Sequence, residues 1–447
     1  MEIKELQNII QACGVVGAGG AGFPTYMKLT DKADTILMNC AECEPLLKLH
    51  RQLLERHAYE IMKTFHMIAE TLGASEAIIG VKKSYVQTVR ALEQHIEEFP
   101  GMRIHLLDEV YPMGDEVVLI YEATGRVVRP GGLPIEQGVA VFNVETVYNV
   151  YRAVEENKPV TDKYVSVVAE VSKPVTVRVP LGCTLDDVVA QAGTVTVKDP
   201  VYFVGGPMMG RIGTGDEPVT KTTNAILVLP RDHIIVMKKQ RTSSVDLKRA
   251  ASICCQCSTC TDLCPRSNLG HPIDPARFMR AASNQDFQDL NPYLDASFCS
   301  SCGVCEMYAC PQSLAPRSLL ADMKLGLRKA GIKPPQNAQA VPVKPSREYR
   351  KVPEERLKAR LGLSRYDVDA PMDENLVSVP KVKVLLNQHI GAPARAIVKV
   401  GDEVTRGQMI AEPAQGLSVG IHATICGKVT EVTDRHIVIT ANQKGRA

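Results

Sequence analysis

The sequence predicts a multidomain α/β protein: a parallel-sheet domain, a small α+β domain, a helical cysteine-rich segment and an all-β C-terminal domain. Three observations predict it. A chain of 447 residues exceeds one core, at roughly 100–200 residues per domain. Its first third alternates strand-like and helix-like stretches, the pattern of a parallel sheet. Eight of its fourteen cysteines fall in two tight runs between residues 254 and 310.

Composition narrows the function. Lys plus Arg (52) nearly balances Asp plus Glu (50), so the basic footprint of a nucleic-acid partner is missing. Aromatic residues are 5% and Trp is absent, which leaves no platform for stacking bases. No run approaches the roughly 18 apolar residues of a membrane span. The N-terminus, MEIKELQNIIQACG, places Glu2 and Glu5 among apolar residues, unlike a secretory signal. Ile3, Leu6, Ile9 and Ile10 fit an amphipathic helix, read either as packed on its own domain or as a docking or encapsulation helix. Tight Cys-x-x-Cys runs in a chain without an export signal read as metal sites in a reducing cytoplasm.

Each element follows from local pattern. A helix leads into a Gly-rich loop (Gly14 to Gly22), and Thr35–Asn39 reads as a strand. A long helix is predicted from Pro45 to Leu72, with Leu46, Leu47, Leu53 and Leu54 at helical spacing. Ala77–Val81 and Arg103–Leu107 read as strands flanking a second helix, Ser84–Phe99. From about 163 to 236, Val165, Val167, Val168, Val171, Val175, Val177 and Val179 alternate around Lys173-Pro174 as in a hairpin. A short helix (Leu185–Ala192) and a strand (Tyr202–Val204) complete that domain. Residues 331–380 carry seven prolines and read as a linker or wrapping segment. From 381 onward short Val/Ile strands are separated by glycine turns.

The cysteine spacing carries the chemistry. The first run is Cys254-x-x-Cys257-x-x-Cys260-x-x-x-Cys264-Pro265. The second is Cys299-x-x-Cys302-x-x-Cys305-x-x-x-x-Cys310-Pro311, one residue longer before its last cysteine. This is the bacterial ferredoxin pattern, in which three close thiolates grip one cluster and the fourth reaches the other. Cys254, Cys257, Cys260 and Cys310 are therefore expected to hold one [4Fe-4S] cluster. Cys299, Cys302, Cys305 and Cys264 are expected to hold the second. Zinc favours two separated pairs with four ligands per ion, which two such triplets do not match. Cys255 lies inside the first run. Cys13, Cys40, Cys43, Cys183 and Cys426 are scattered and read as small buried residues.

The loop Val16-Gly17-Ala18-Gly19-Gly20-Ala21-Gly22-Phe23-Pro24-Thr25 contains a G-x-G-x-x-G. It follows a helix and precedes a strand, so it fails the context of the dinucleotide fingerprint. Its glycines still let backbone N–H groups approach a phosphate or a flat ring, and Lys28 could add charge.

Four segments in order, GAGGAGFPTYMK, MNCAECEP (Met38 to Pro45), YPMGDE (Tyr111 to Glu116) and FNVET (Phe142 to Thr146), resemble the FMN- and NADH-binding domain of the Complex I flavoprotein subunit and of RnfC-like proteins. The order of segments over the whole chain is similar to that of the cobalamin reductases of propanediol-utilisation microcompartments. The resemblance implies a flavin domain over 1–157 and an SLBB-type β-grasp domain over 158–237. It further implies a two-[4Fe-4S] ferredoxin domain over 238–330, a Pro-rich linker over 331–380 and a barrel-sandwich hybrid domain over 381–447. It places Gly17, Gly19, Gly20, Lys28, Asn39, Glu42, Tyr111, Asp115, Asn143 and Thr146 at FMN, and Phe23, Glu44 and Glu116 at NADH. Ala18 stands where the Complex I motif has Arg, and Ala41 where it has Asp. No residue matches the aromatic that stacks on adenine there.

Val398–Val404 and Ala423–Val429 resemble the half-motifs of lipoyl and biotinyl carriers. The hairpin between them, Glu412 to Val419, has no Lys to modify, so a docking or structural module is expected. The activity implied is an NADH-dependent oxidoreductase passing electrons through FMN and two clusters to a corrinoid. An adenosyltransferase and microcompartment shell proteins are the implied partners, in a cytoplasmic or shell-enclosed setting. The alternatives are an RnfC-like electron-transfer component of a membrane complex and a non-enzymatic electron conduit at a shell.

Overall fold

The computed structural model describes residues 1–336 and 338–442. Helix α1 (Ile3–Ala12) buries Leu6 and Ile10 in the first domain's core, so its apolar stripe is used internally. Strands β1 (Thr35–Cys40), β2 (Glu76–Lys82) and β3 (Met102–Leu107) are followed by the short β4 (Val110–Tyr111) and by β5 (Val139–Asn143). Four of them form a parallel sheet in the order β3-β2-β1-β5. Leu37 of β1 faces Ile78 and Val141, all three buried, as expected of a sheet covered on both faces.

Helices α2 (Leu49–Arg56), α3 (Ala58–Leu72), α4 (Val86–Glu93), α5 (Glu116–Thr124) and α6 (Val144–Val154) cover that sheet. The single helix expected over Pro45–Leu72 is two, broken at His57 (φ −123°, ψ 37°). The His57 imidazole bonds Glu374 at 3.0 Å and stacks on Tyr148 with centroids 4.6 Å apart. These partners are remote in sequence and outweigh local periodicity. Helix α2 starts late because Leu46 is left-handed (φ 71°) and the Glu42 carboxylate accepts from Leu49 N and His50 N at 3.1 Å, satisfying free first-turn amides.

Strands β6 (Asp162–Ala169), β7 (Val175–Pro180), β8 (Pro200–Val204), β9 (Arg211–Gly213) and β10 (Ala225–Pro230) form a second, mixed sheet. The Pro-rich segment wraps the domains. Its β11 (Val352–Pro353) pairs with β4, and its β12 (Met372–Leu376) extends the second sheet beside β7. Glu354, next to β11, is ion-paired with Lys82 at the end of β2. Lys82 is 0% exposed, and a buried ammonium persists only when paired.

The cysteine segment packs Ala250, Ile273, Phe278, Met279 and Leu320 between short helices. The C-terminal domain comprises β13 (Lys381–Leu385), β14 (Arg395–Ala396), β15 (Glu403–Val404), β16 (Met409–Glu412), β17 (Ile421–His422), β18 (Gly427–Val432) and β19 (His436–Ala441). They form two small sheets, β13-β19-β18-β15 and β14-β16-β17, around Val404, Ile410, Val429 and Ile439. Asp162 ties three domains together: its buried carboxylate pairs with Arg152 of α6, Arg178 of β7 and Arg406. Among the described residues no helix is long and apolar enough to cross a membrane.

Candidate functional site

A cavity of about 300 Å³ opens at the carboxyl ends of β1 and β5. The chain runs from β1 outward to β2 and β3, then returns to place β5 on the other side of β1. Such a switch point leaves a crevice above the strand ends. The glycine loop forms one wall. It is pinched at its base by Gly17 N donating to Phe23 O (2.9 Å) and held to α6 by Ala18 N donating to Thr146 Oγ1 (3.0 Å).

The cavity is lined by Gly17, Gly19, Gly20, Phe23, Thr25, Lys28, Asn39, Glu116, Asn143 and Thr146, among others. Asn39 Nδ2 donates to Gly114 O at 3.0 Å, fixing the turn before α5. Asn143 Oδ1 caps α6 by accepting from Glu145 N and Thr146 N, which turns its Nδ2 toward Gly19 and His50 Nε2 (3.4 Å). A Cβ on Gly19 would lie 2.6 Å from Asn143 Nδ2, whereas one on Gly20 would meet nothing within 4 Å. Lys28 Nζ donates to Val141 O (2.7 Å) and lies 3.6 Å from Glu116. The set is rich in N–H donors and suits an anionic, planar ligand.

Four residues that the resemblance places at FMN or NADH lie outside the cavity, each occupied by the fold. Glu42 caps α2. Tyr111 Oη donates to Cys302 O at 2.6 Å. Asp115 caps α5 and pairs with Arg266 at 2.9 Å. Glu44 accepts from Met208 N and Met209 N, both at 2.9 Å, and desolvation pushes its carboxyl up to about 7. Thr25 was not among the expected residues, yet its buried Oγ1 has no partner among the described residues and it lines the cavity. The only sequence signal for it is its place in the loop motif.

The cysteines gather in two further cavities. Cys254, Cys257, Cys260 and Cys310, with Cys255, line the outer one. Cys264, Cys299, Cys302 and Cys305 line the inner one. Left-handed residues at Ser258 (φ 60°) and Gly303 (φ 84°) bend the two runs at corresponding places. The extra residue before Cys310 is taken up by a π-helical turn, Val304–Ala309, a usual way to absorb one insertion. Backbone N–H groups point at sulfur: Ser301 N is 3.3 Å from Cys299 Sγ and Leu314 N is 3.4 Å from Cys310 Sγ. Burial pushes the Cys260 thiol up to about 12 and the Cys264 thiol up to about 11, so thiolates here need the positive charge that irons supply.

The inner cage abuts the flavin-type domain. Tyr111 reaches Cys302, and Arg266, two residues after Cys264, pairs with Asp115 beside the cavity-lining Gly114. The outer cage faces solvent, with Cys255 and Cys257 exposed.

Comparison with known families agrees with these parts. Residues 10–152 match the Nuo51 FMN-binding domain, 253–315 a 4Fe-4S dicluster domain and 371–445 the RnfC barrel sandwich hybrid domain. The chain is 42% identical over 445 residues to the cobalamin reductase PduS of Salmonella typhimurium, covering 98% of this chain and 97% of that one. The chain belongs to the PduS family of cobalamin reductases. A second member, from Citrobacter freundii, is 41% identical over the same shares. The C component of an ion-translocating oxidoreductase complex from Erwinia tasmaniensis is 31% identical over 60% of this chain and 33% of its own length. As a member of this family, the chain is an NADH-dependent oxidoreductase that carries FMN and 4Fe-4S clusters.

Proposed function

We propose that this chain takes electrons from NADH at the glycine-loop cavity and delivers them, through the inner and then the outer cysteine cage, to a corrinoid. The observation that carries the order is the pair of contacts Tyr111–Cys302 and Asp115–Arg266, which join the cavity's wall to the inner cage. FMN, when bound, supplies the conversion of a two-electron hydride into single electrons. Gly17, Gly19, Gly20, Thr25, Lys28, Asn39, Asn143 and Thr146 hold it; their N–H, hydroxyl and ammonium groups suit its phosphate and ring edges. Phe23 and Glu116, which line the same cavity, face the nicotinamide donor. Cys254, Cys257, Cys260 and Cys310 ligate the outer cluster; Cys264, Cys299, Cys302 and Cys305 ligate the inner one.

Residues 1–157, 158–237, 238–330 and 381–447 act as flavin, β-grasp (SLBB), ferredoxin and barrel-sandwich domains, with 331–380 as a strap. The mixed sheet of β6 to β10 with the helix Leu185–Val189 supports the β-grasp assignment. The relatives' cobalamin reductase activity supports the corrinoid as acceptor. An adenosyltransferase would consume the reduced product, and the site of action is a propanediol-utilisation microcompartment. The test is anaerobic titration of the reconstituted protein with NADH, followed by absorbance and EPR, then addition of cob(III)alamin. Bleaching of flavin and clusters followed by reoxidation on adding the corrinoid is expected. Reduced clusters that the corrinoid does not reoxidise would overturn the acceptor.

A further inference from the structure

The hairpin that carries the modified Lys in lipoyl-type domains is docked here against the base of the glycine loop. Tyr26 Oη donates to Gly416 O (3.3 Å) and Gln11 Nε2 to Ser418 O (3.1 Å). Gly420 N donates to Gln11 O (3.1 Å), and Ile390 N donates to Gly22 O (3.2 Å). Lys221, from the second domain, closes the junction: its Nζ donates to Gly14 O (2.6 Å) and Gly420 O (3.3 Å). The two roots of the glycine loop, Gly14 and Gly22, thus both rest on groups outside the flavin-type domain. The fit is close. A Cβ on Gly14 would lie 2.4 Å from Gly420 O, and one on Gly420 would lie 2.7 Å from Ala12 O.

Lys221 is 2% exposed. The titratable groups facing it are the Cys13 thiol and the imidazoles of His389 and His422; among the described residues no carboxylate offsets its charge. Burial lowers its ammonium to about 7. A buried cation held only by carbonyls is costly, and an apolar side chain would serve a seam needed only for cohesion.

We propose that Lys221 and the barrel-sandwich domain's 416–420 turn are a clamp that positions the glycine loop for FMN, although they lie outside the cavity. This rests on the cavity being the FMN site. Preorganising a loop raises affinity by removing the ordering cost at binding. The clamp therefore acts on flavin affinity and geometry and leaves the cysteine cages untouched.

The experiment uses the full-length, cluster-reconstituted protein and its Lys221→Met and Gly420→Ala variants. Measured are the FMN dissociation constant, the visible circular dichroism of bound flavin, iron content and the thermal midpoint. Both variants are expected to bind FMN about tenfold or more weakly, with an altered flavin dichroism and full iron content. FMN binding and dichroism equal to the parent in both variants would overturn the clamp. Loss of iron in proportion to flavin would overturn it in favour of general destabilisation. A parent protein that binds no FMN would instead overturn the reading of the cavity.

Discussion

The two cysteine cages have four expected ligands each, from runs of nearly the same spacing, but opposite surroundings. Around the inner cage, Cys305 is buried, Tyr111 bonds the Cys302 carbonyl and Arg266 ties the loop to α5. Around the outer cage, Cys255 and Cys257 are exposed. Ligand type alone does not rank the two. What distinguishes them is which cage the flavin-type domain touches, and under the proposed function that makes the inner cage the first to be reduced and the outer one the exit.

The sharpest way to break this ranking is to remove one cage at a time. Cys302→Ala and Cys257→Ala are each expected to lower iron from about eight to about four per chain. They should part under NADH: Cys257→Ala still gives a reduced-cluster EPR signal, and Cys302→Ala gives none. A reduced outer cluster in Cys302→Ala at the parent's rate would invert the ranking. Next, Arg266→Met leaves Asp115 without its partner at the seam. The cost expected is about 3 kcal/mol, read as a lower denaturant midpoint, where the exposed Arg277, paired with Asp289 at the surface, should cost little.

Glu44 sharpens the comparison through pH, because it braces Met208 behind the inner cage near Gly303, a contact the outer cage lacks among the described residues. Its carboxyl is raised from an ordinary 4.5 to about 7 by desolvation. A raised acid adds stability in its protonated form, so that contribution is present below about 4.5 and is lost as pH rises through about 7. The thermal midpoint should fall over that window in the parent, and less steeply in Glu44→Gln; parallel profiles would remove Glu44 from the account. The smallest effect is expected of Tyr111→Phe, about 1 kcal/mol for one neutral hydrogen bond, with slower inner-cluster reduction in stopped-flow and no change in outer-cluster content.

Much of the fold is legible locally. The Val alternation around Lys173-Pro174 becomes the β6–β7 hairpin, and the apolar run Ala77–Val81 becomes the core of β2. The helix break at His57 is not legible, because Glu374 and Tyr148 impose it from afar. Nor is the wrapping of residues 331–380, whose β11 and β12 exist only by pairing with β4 and β7. At the site, the glycine loop, Asn39 and Asn143 could be found from motifs. Glu42, Tyr111, Asp115 and Glu44 stand in the same motifs, yet their side chains cap helices or bridge domains.

Short-range chemistry was therefore written in the chain: thiol spacing set by the reach of a few residues, glycines where a backbone must come close, and alternation that picks strand or helix. The tertiary structure alone decided which cage meets the flavin-type domain, which carboxylates face solvent or amide, and what braces the glycine loop. The physical reason is that a polar side chain's role depends on the partner it finds when buried. Those partners, Met208 for Glu44, Cys302 for Tyr111 and Gly14 for Lys221, lie 164, 191 and 207 positions away.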